Sequence, residues 1–214
     1  MKLRTALGVA AADLYHQSWR LVVLNGVLGA LLLSVVLASI SMRVGLALVV
    51  LVGPAAVAVM HCAVTLAQTE DLRLTEAVRG LRRHWRRGLL LGALVACAAI
   101  LGATVVPFYA RAGTWAWPLA ALSVYVLVLF LVFQLALWPL AVYEAARPFR
   151  EVVRDAALVV GRRPFGFAGL AAAVLLVNVI GLAAAILPFL TLTIAYSFLV
   201  AAHFALPKNP ARDV

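Results

Sequence analysis

The chain has 214 residues, two thirds of them hydrophobic and only 12% charged, with a formal net charge of +10. A soluble domain is about 45–50% apolar, and a fold of this length has too much surface relative to volume to hide the excess. The composition therefore excludes an ordinary water-soluble fold and predicts an all-α protein with lipid as the solvent for much of its surface. The positive charge is almost all arginine, 16 Arg against two Lys. In an apolar chain such arginines read as topology signals and contacts to anionic lipid rather than as a nucleic-acid footprint.

Residues 1–20 open with Lys2 and Arg4 and a short apolar run, Ala6–Ala12, followed by Asp13, His16 and Gln17. The run is short for a cleaved signal, so the segment is expected to be a juxtamembrane amphipathic helix leading into an uncleaved first span. Leu21–Met42 carries no charge and is long enough, at 1.5 Å per residue, to cross a core of about 30 Å. After a tight connection the second span is expected over 44–66, with Gly53-Pro54 inside it as a kink.

The run from Glu70 to Arg87, EDLRLTEAVRGLRRHWRR, is the densest charge in the sequence. Leu74, Val78, Leu81 and Trp85 fall on one face at helical spacing, and Arg73, Arg79, Arg82, Arg83, Arg86 and Arg87 lie mostly elsewhere. Such a helix is expected to lie along the interface. The third span, 88–108, opens with Gly88-xxx-Gly92-xxx-Ala96, a small-residue ridge suited to close helix contact. A break around Tyr109–Gly113 leads to the fourth span, 115–140, which closes on Trp138-Pro139-Leu140.

A second basic segment, Glu144 to Arg163, places Phe149, Val152, Val153, Ala156, Ala157 and Val160 on one face and Arg150, Glu151, Arg154 and Asp155 on the other. It echoes the first: Glu76-Ala-Val-Arg79 aligns with Glu151-Val-Val-Arg154, and Arg86-Arg87 with Arg162-Arg163. Glu144-Ala145-Ala146 carries a weak likeness to the coupling loop of importer permeases, although Arg150 stands where that pattern wants glycine. No charge appears from Phe165 to Pro207, about twice the length of one span, so two spans are expected, 165–184 and 186–205. A tail, 208–214, follows the membrane domain of 21–207. With both termini on the cytoplasmic side, this arrangement puts all but two of the cations, Arg43 and Arg111, inside, as the positive-inside rule asks; five spans satisfy it nearly as well.

The order of these features resembles the YesL-like family of bacterial multi-span membrane proteins. The likeness is carried by WRLVVLN with Trp19 and Asn25, by GPAAVAV from Gly53 to Val59, by HWRRG from His84 to Gly88, and by the Trp-Pro that closes span four. It covers roughly Ala12 to Pro207, and the chain departs from the family in having Leu and Arg where a Phe-rich helix start is usual. The resemblance implies a bacterial plasma-membrane location, no known catalytic residues and an association with carbohydrate uptake.

No Asp, Glu, Lys or Arg falls within a span, which argues against an ion-coupled carrier or an intramembrane acid/base enzyme. The neutral polar residues Asn25, His61, Gln134, Asn178 and His203 are the candidates for one inner cavity, with helix-to-helix hydrogen bonding as the plainer role of each. Adjacent His61 and Cys62 point to different helix faces and make no metal site, and no cofactor motif is present. The candidates for contact with lipid or a partner are Arg82, Arg83, Trp85, Arg86, Arg87, Arg150, Arg154, Arg162 and Arg163. The reading is a non-enzymatic membrane protein accessory to solute uptake. Its partners are anionic lipids of the cytoplasmic leaflet and a transporter component, with no nucleic acid. The alternative is a permease subunit with a polar intramembrane cavity.

Overall fold

The structure, a computed structural model, describes residues 3–41, 49–69, 72–184 and 192–207. Among these the chain is all helix, with no strand. The helices are α1 (Leu3–His16), α2 (Ser18–Ser41), α3 (Val49–Thr69), α4 (Leu74–Arg111), α5 (Trp117–Tyr143), α6 (Phe149–Arg162), α7 (Pro164–Ala184) and α8 (Ile194–Ala205). Four of them, α3, α4, α5 and α7, are long and apolar enough to cross a membrane. The pair α1–α2, bent by 97° between His16 and Trp19, makes a fifth if it is taken as one span. Of the expected sixth span, 186–205, residues 192–205 lie within the described residues, and α8 itself, with 12 residues, reaches about 18 Å. The expected start of span two at residue 44 also lies outside the described residues.

The largest departure from expectation is α4. The basic run and the third span are not an interfacial helix followed by a crossing helix. They are one continuous helix of 38 residues, about 57 Å long. Nothing at the junction ends it: Gly88 alone lowers helix propensity by about 1 kcal/mol, which packing against a neighbour outweighs. The second basic segment does form a separate helix, because α6 stops before Pro164. Arg163 has φ −139°, ψ 55°, outside the helical region, as the residue before a proline favours. The two halves of the faint repeat therefore differ by one proline. The α4–α5 hairpin turns at Gly113, whose φ of +104° suits glycine, and continues through a single 3-10 turn, Thr114–Ala116. Pro139 lies inside α5, which runs on to Tyr143 rather than ending at Leu140.

The side of α4 that packs on the protein is not its apolar stripe. Val78, Leu81 and Trp85 are exposed. The packed face is Gly80, His84, Gly88, Leu91 and Gly92. It lies against α3, and the two helices form the most extensive helix pair among the described residues. They approach so closely that a Cβ on Gly53 would fall 2.1 Å from the Gly88 carbonyl oxygen, and one on Gly88 would fall 2.6 Å from the Pro54 Cα. Gly53-Pro54, expected as a kink, is thus the seat of the Gly88–Gly92 ridge.

Burial runs as a gradient along the long helices. At one end Ala6 and Ala10 of α1, Val57, Met60 and Leu66 of α3, Leu137 and Ala141 of α5, Val152 and Ala156 of α6, Phe167 and Leu170 of α7 and Leu199 and Val200 of α8 form a single core. At the other, Leu94, Leu101 and Phe108 of α4, Leu122, Val126 and Leu129 of α5 and Leu175, Val179 and Leu182 of α7 are exposed. An apolar band of that extent suits lipid, not water. The second half of α3 belongs to the core and runs beside the basic half of α4.

Candidate functional site: an arginine face and a lateral groove

The basic half of α4 presents Arg79, Arg82, Arg83 and Arg86 together with Val78, Leu81 and Trp85 on its exposed side. The Arg86 guanidinium stands 5.3 Å from the centroid of the Trp85 ring, a cation–π arrangement. Arg79 pairs with Glu76. Thr75, Val78, Arg79, Arg82 and Arg83 line a shallow concavity on this face. The side is cationic and carries aliphatic and aromatic groups between the charges, the mixture that favours headgroups of anionic lipid.

Arg87 is separated from this set. Its guanidinium donates to the backbone carbonyls of Ala141 at 2.7 Å, Glu144 at 3.1 Å and Arg147, and so caps the C-terminal end of α5. Arg147, which the sequence reading passed over, holds the following turn through Glu144 at 2.7 Å, Glu151 at 3.3 Å and Asp155 at 2.6 Å. The hydrogen bond to Asp155, with the charges of Asp155 and Glu144, raises its pKa above the ordinary arginine value. The Glu144–Arg147 and Arg147–Glu151 spacings of three and four are the signal that a search for helical ion pairs finds. Glu144-Ala145-Ala146 is therefore a turn pinned from two sides. Arg150 and Arg154 are exposed on α6, and Arg162 and Arg163 are exposed where α6 meets α7.

The five neutral polar candidates do not share one cavity. His203 Nε2 lies 2.8 Å from Asp13, so that pair ties α8 to α1 across 190 residues of sequence. His61 faces α4: its Nε2 is 3.6 Å from a Glu76 oxygen, and its ring centroid is 5.2 Å from that of buried His84. The ring rests on Gly80, where a Cβ would come within 2.7 Å of it. Asn25 is fully buried on the face of α2 that carries Leu21 and Leu28, and neither amide atom has a protein partner. Only Gln134 and Asn178 come together, as walls of a groove between α5, α7 and α8 with a volume of about 640 Å³. This convergence needs α7 to return antiparallel beside α5, which α6 brings about.

Among the described residues no group of three or more His, Cys, Asp or Glu side chains is placed to hold a metal ion. Cys62 is buried in the core and Cys97 is exposed on the apolar length of α4. The Asp13–His203 contact has a measurable consequence. Asp13→Asn keeps the shape and loses the charge of a nearly buried pair, and is expected to lower stability by about 1 kcal/mol. Thermal unfolding in detergent, with His203→Gln as the second arm of a double-mutant cycle, reads the coupling. Additive losses would show that the two side chains are neighbours without being partners.

Comparison with protein-family models, with curated proteins and with solved structures returns no match.

Proposed function

We propose that the chain is a non-enzymatic integral membrane protein of the bacterial plasma membrane, of the YesL-like type. In this reading it crosses six times with both termini cytoplasmic and serves as an accessory to a solute, carbohydrate, uptake system. The observation that carries the membrane part is the exposed set Arg79, Arg82, Arg83 and Arg86 with Trp85, continuous along α4 with an uncharged apolar length that ends at Arg111. Each arginine near an anionic surface contributes about 1 kcal/mol of attraction, so this end of the molecule belongs on the cytoplasmic leaflet.

Orientation and lipid contact are tested separately. With Cys62 and Cys97 replaced by alanine, a Val214→Cys variant is expected to react with an impermeant maleimide only after the cells are opened; labelling of intact cells would overturn the six-span orientation. Reconstituted into nanodiscs, the protein is expected to unfold at higher temperature in phosphatidylglycerol than in phosphatidylcholine. The gap should close when Arg79, Arg82, Arg83 and Arg86 become glutamine, and an unchanged gap would remove lipid from the account of this face. The accessory role predicts that a strain lacking the protein loses sugar uptake, and that the purified protein conducts no solute by itself. The permease reading gains one specific support, the meeting of Gln134 and Asn178 in one groove. Solute flux into vesicles that is lost on Gln134→Leu would favour it over the accessory role.

A further inference from the structure

Gln134 is a polar side chain that packing does not explain. It sits on α5 with 7% of its surface exposed, and neither Oε1 nor Nε2 has a hydrogen-bond partner. Buried polar groups are almost always paired, and an exception beside a cavity points to a ligand; both amide atoms are closed off by their neighbours, so a ligand in the groove meets them when this flexible side chain turns toward it. The groove it lines is apolar, bounded by Leu131 and Trp138 of α5, Ala172 of α7 and Phe198 of α8, and among the described residues no Asp, Glu, Lys or Arg lines it. Its volume falls in the range of about 300–1,000 Å³ typical of small-molecule sites. The Trp138 and Phe198 rings are stacked, 6.2 Å apart and within 21° of parallel, and form a flat wall.

We propose that this groove binds one neutral lipid bearing a free hydroxyl group, entering along the α5–α7 seam between exposed Leu131 and Leu175. The hydrogen-bonding capacity selects the group. The Asn178 amide gives both its hydrogens away, to the Val174 carbonyl at 2.7 Å and the Ser197 hydroxyl at 2.8 Å, so it offers only its carbonyl oxygen. Gln134 offers two donors and one acceptor. A hydroxyl both donates and accepts and so satisfies a site of mixed capacity. A ketone or ester only accepts. A carboxylate arrives charged where no cation waits, which burial penalises. The lining excludes a charged headgroup for the same reason. The groove is distinct from the arginine face, and the inference stands whether or not the protein serves uptake.

The test is photolabelling of the full-length protein in maltoside detergent with 1-hexadecanol carrying a mid-chain diazirine. Adducts are expected on the lining of α5, α7 and α8, displaced by unlabelled 1-hexadecanol and at least about tenfold less well by hexadecane or palmitate. Gln134→Leu should weaken capture roughly fivefold, the factor for one net hydrogen bond, while raising the unfolding temperature because an unpaired amide is removed. Asn25→Leu removes another unpartnered amide, away from the groove lining, and should leave capture unchanged. Ala172→Trp, which fills the groove, should abolish it. Adducts spread over the exposed faces of α2 and α4, equal competition by hexadecane, or capture unchanged in Gln134→Leu would each overturn the proposal and leave adventitious detergent-like contact only. Equal weakening by Asn25→Leu would do the same, by tracing the effect to stability.

Discussion

Gly88→Ala is expected to destabilise the protein by about 3 kcal/mol, the upper end of the range for overpacking, because the added methyl group meets backbone and not a side chain that can turn away. It would fall 2.6 Å from Pro54 Cα, 2.8 Å from Pro54 N and 3.0 Å from the Gly53 carbonyl oxygen. Gly53→Ala is expected to cost as much, since its Cβ meets the Gly88 carbonyl at 2.1 Å. The two share one contact, so the double variant should lose less than the sum. In a chain of this size the single losses amount to a drop in unfolding temperature of roughly 6–12 °C. Gly8→Ala is the control: nothing lies within 4 Å of its Cβ, and alanine there gains helix propensity of about 0.5–1 kcal/mol. A Gly88→Ala midpoint equal to that of the native chain would mean that α3 and α4 are not packed through these glycines. A Leu at Gly88 should force α3 and α4 apart and carry the His61–His84 contact with them, because both contacts belong to the same seam.

That seam shows what could and could not be read beforehand. The Gly88-xxx-Gly92 ridge was legible, because small residues four apart let two helices approach. Its partner was legible as residues but not in this role: Gly53-Pro54 read as a kink, and its part as a seat went unread. The amphipathic stripe said nothing of which side packs. Val78, Leu81 and Trp85 were assigned to the interface and are exposed, so the packed face had to be read from other residues. Beside lipid, apolar surface gains nothing by turning inward, and the inside goes to residues that pack closely or carry polar groups. Gly80, His84 and Gly88 are of that kind, and they are the buried ones. The same argument covers the polar candidates. Each is buried or half-buried, but their convergence depends on the rotation of each helix about its axis, which no single-helix pattern carries. Hence His203 found Asp13, His61 found Glu76 and His84, and only Gln134 and Asn178 met. The continuity of α4 turned on an absence, since no proline stands at Gly88 where Pro164 stands after Arg163. That difference was visible in the alignment of the two basic segments and is the one that separates a 38-residue helix from a broken pair.

The two neighbouring arginines Arg86 and Arg87 are expected to behave as unlike residues. Arg87→Ala should lower stability by about 2 kcal/mol, the scale for hydrogen bonds to a charged group whose acceptors are only partly buried. The last carbonyls of a helix have no partner within it, and here Arg87 supplies one to Ala141 and reaches on to Glu144 and Arg147. Arg87→Lys should recover part of the loss, because an ammonium keeps the charge but lacks the planar fork that spans separated acceptors. Arg86→Ala, exposed and stacked on Trp85, should stay within about 0.5 kcal/mol. Hydrogen exchange gives the local readout. In Arg87→Ala the protection of Glu144 and Arg147 amides should fall first, since the turn then keeps only its own backbone hydrogen bonds and the exposed Arg147 carboxylate contacts. Equal effects of the two alanine variants would return Arg87 to the exposed set with Arg82, Arg83 and Arg86. Unequal effects divide the basic run by function: one arginine holds the α5–α6 corner that carries Gln134 toward α7, and the others are left to the surface. The groove and the arginine face then depend on the same short stretch of α4 for different reasons, the first through a cap and the second through exposed charge.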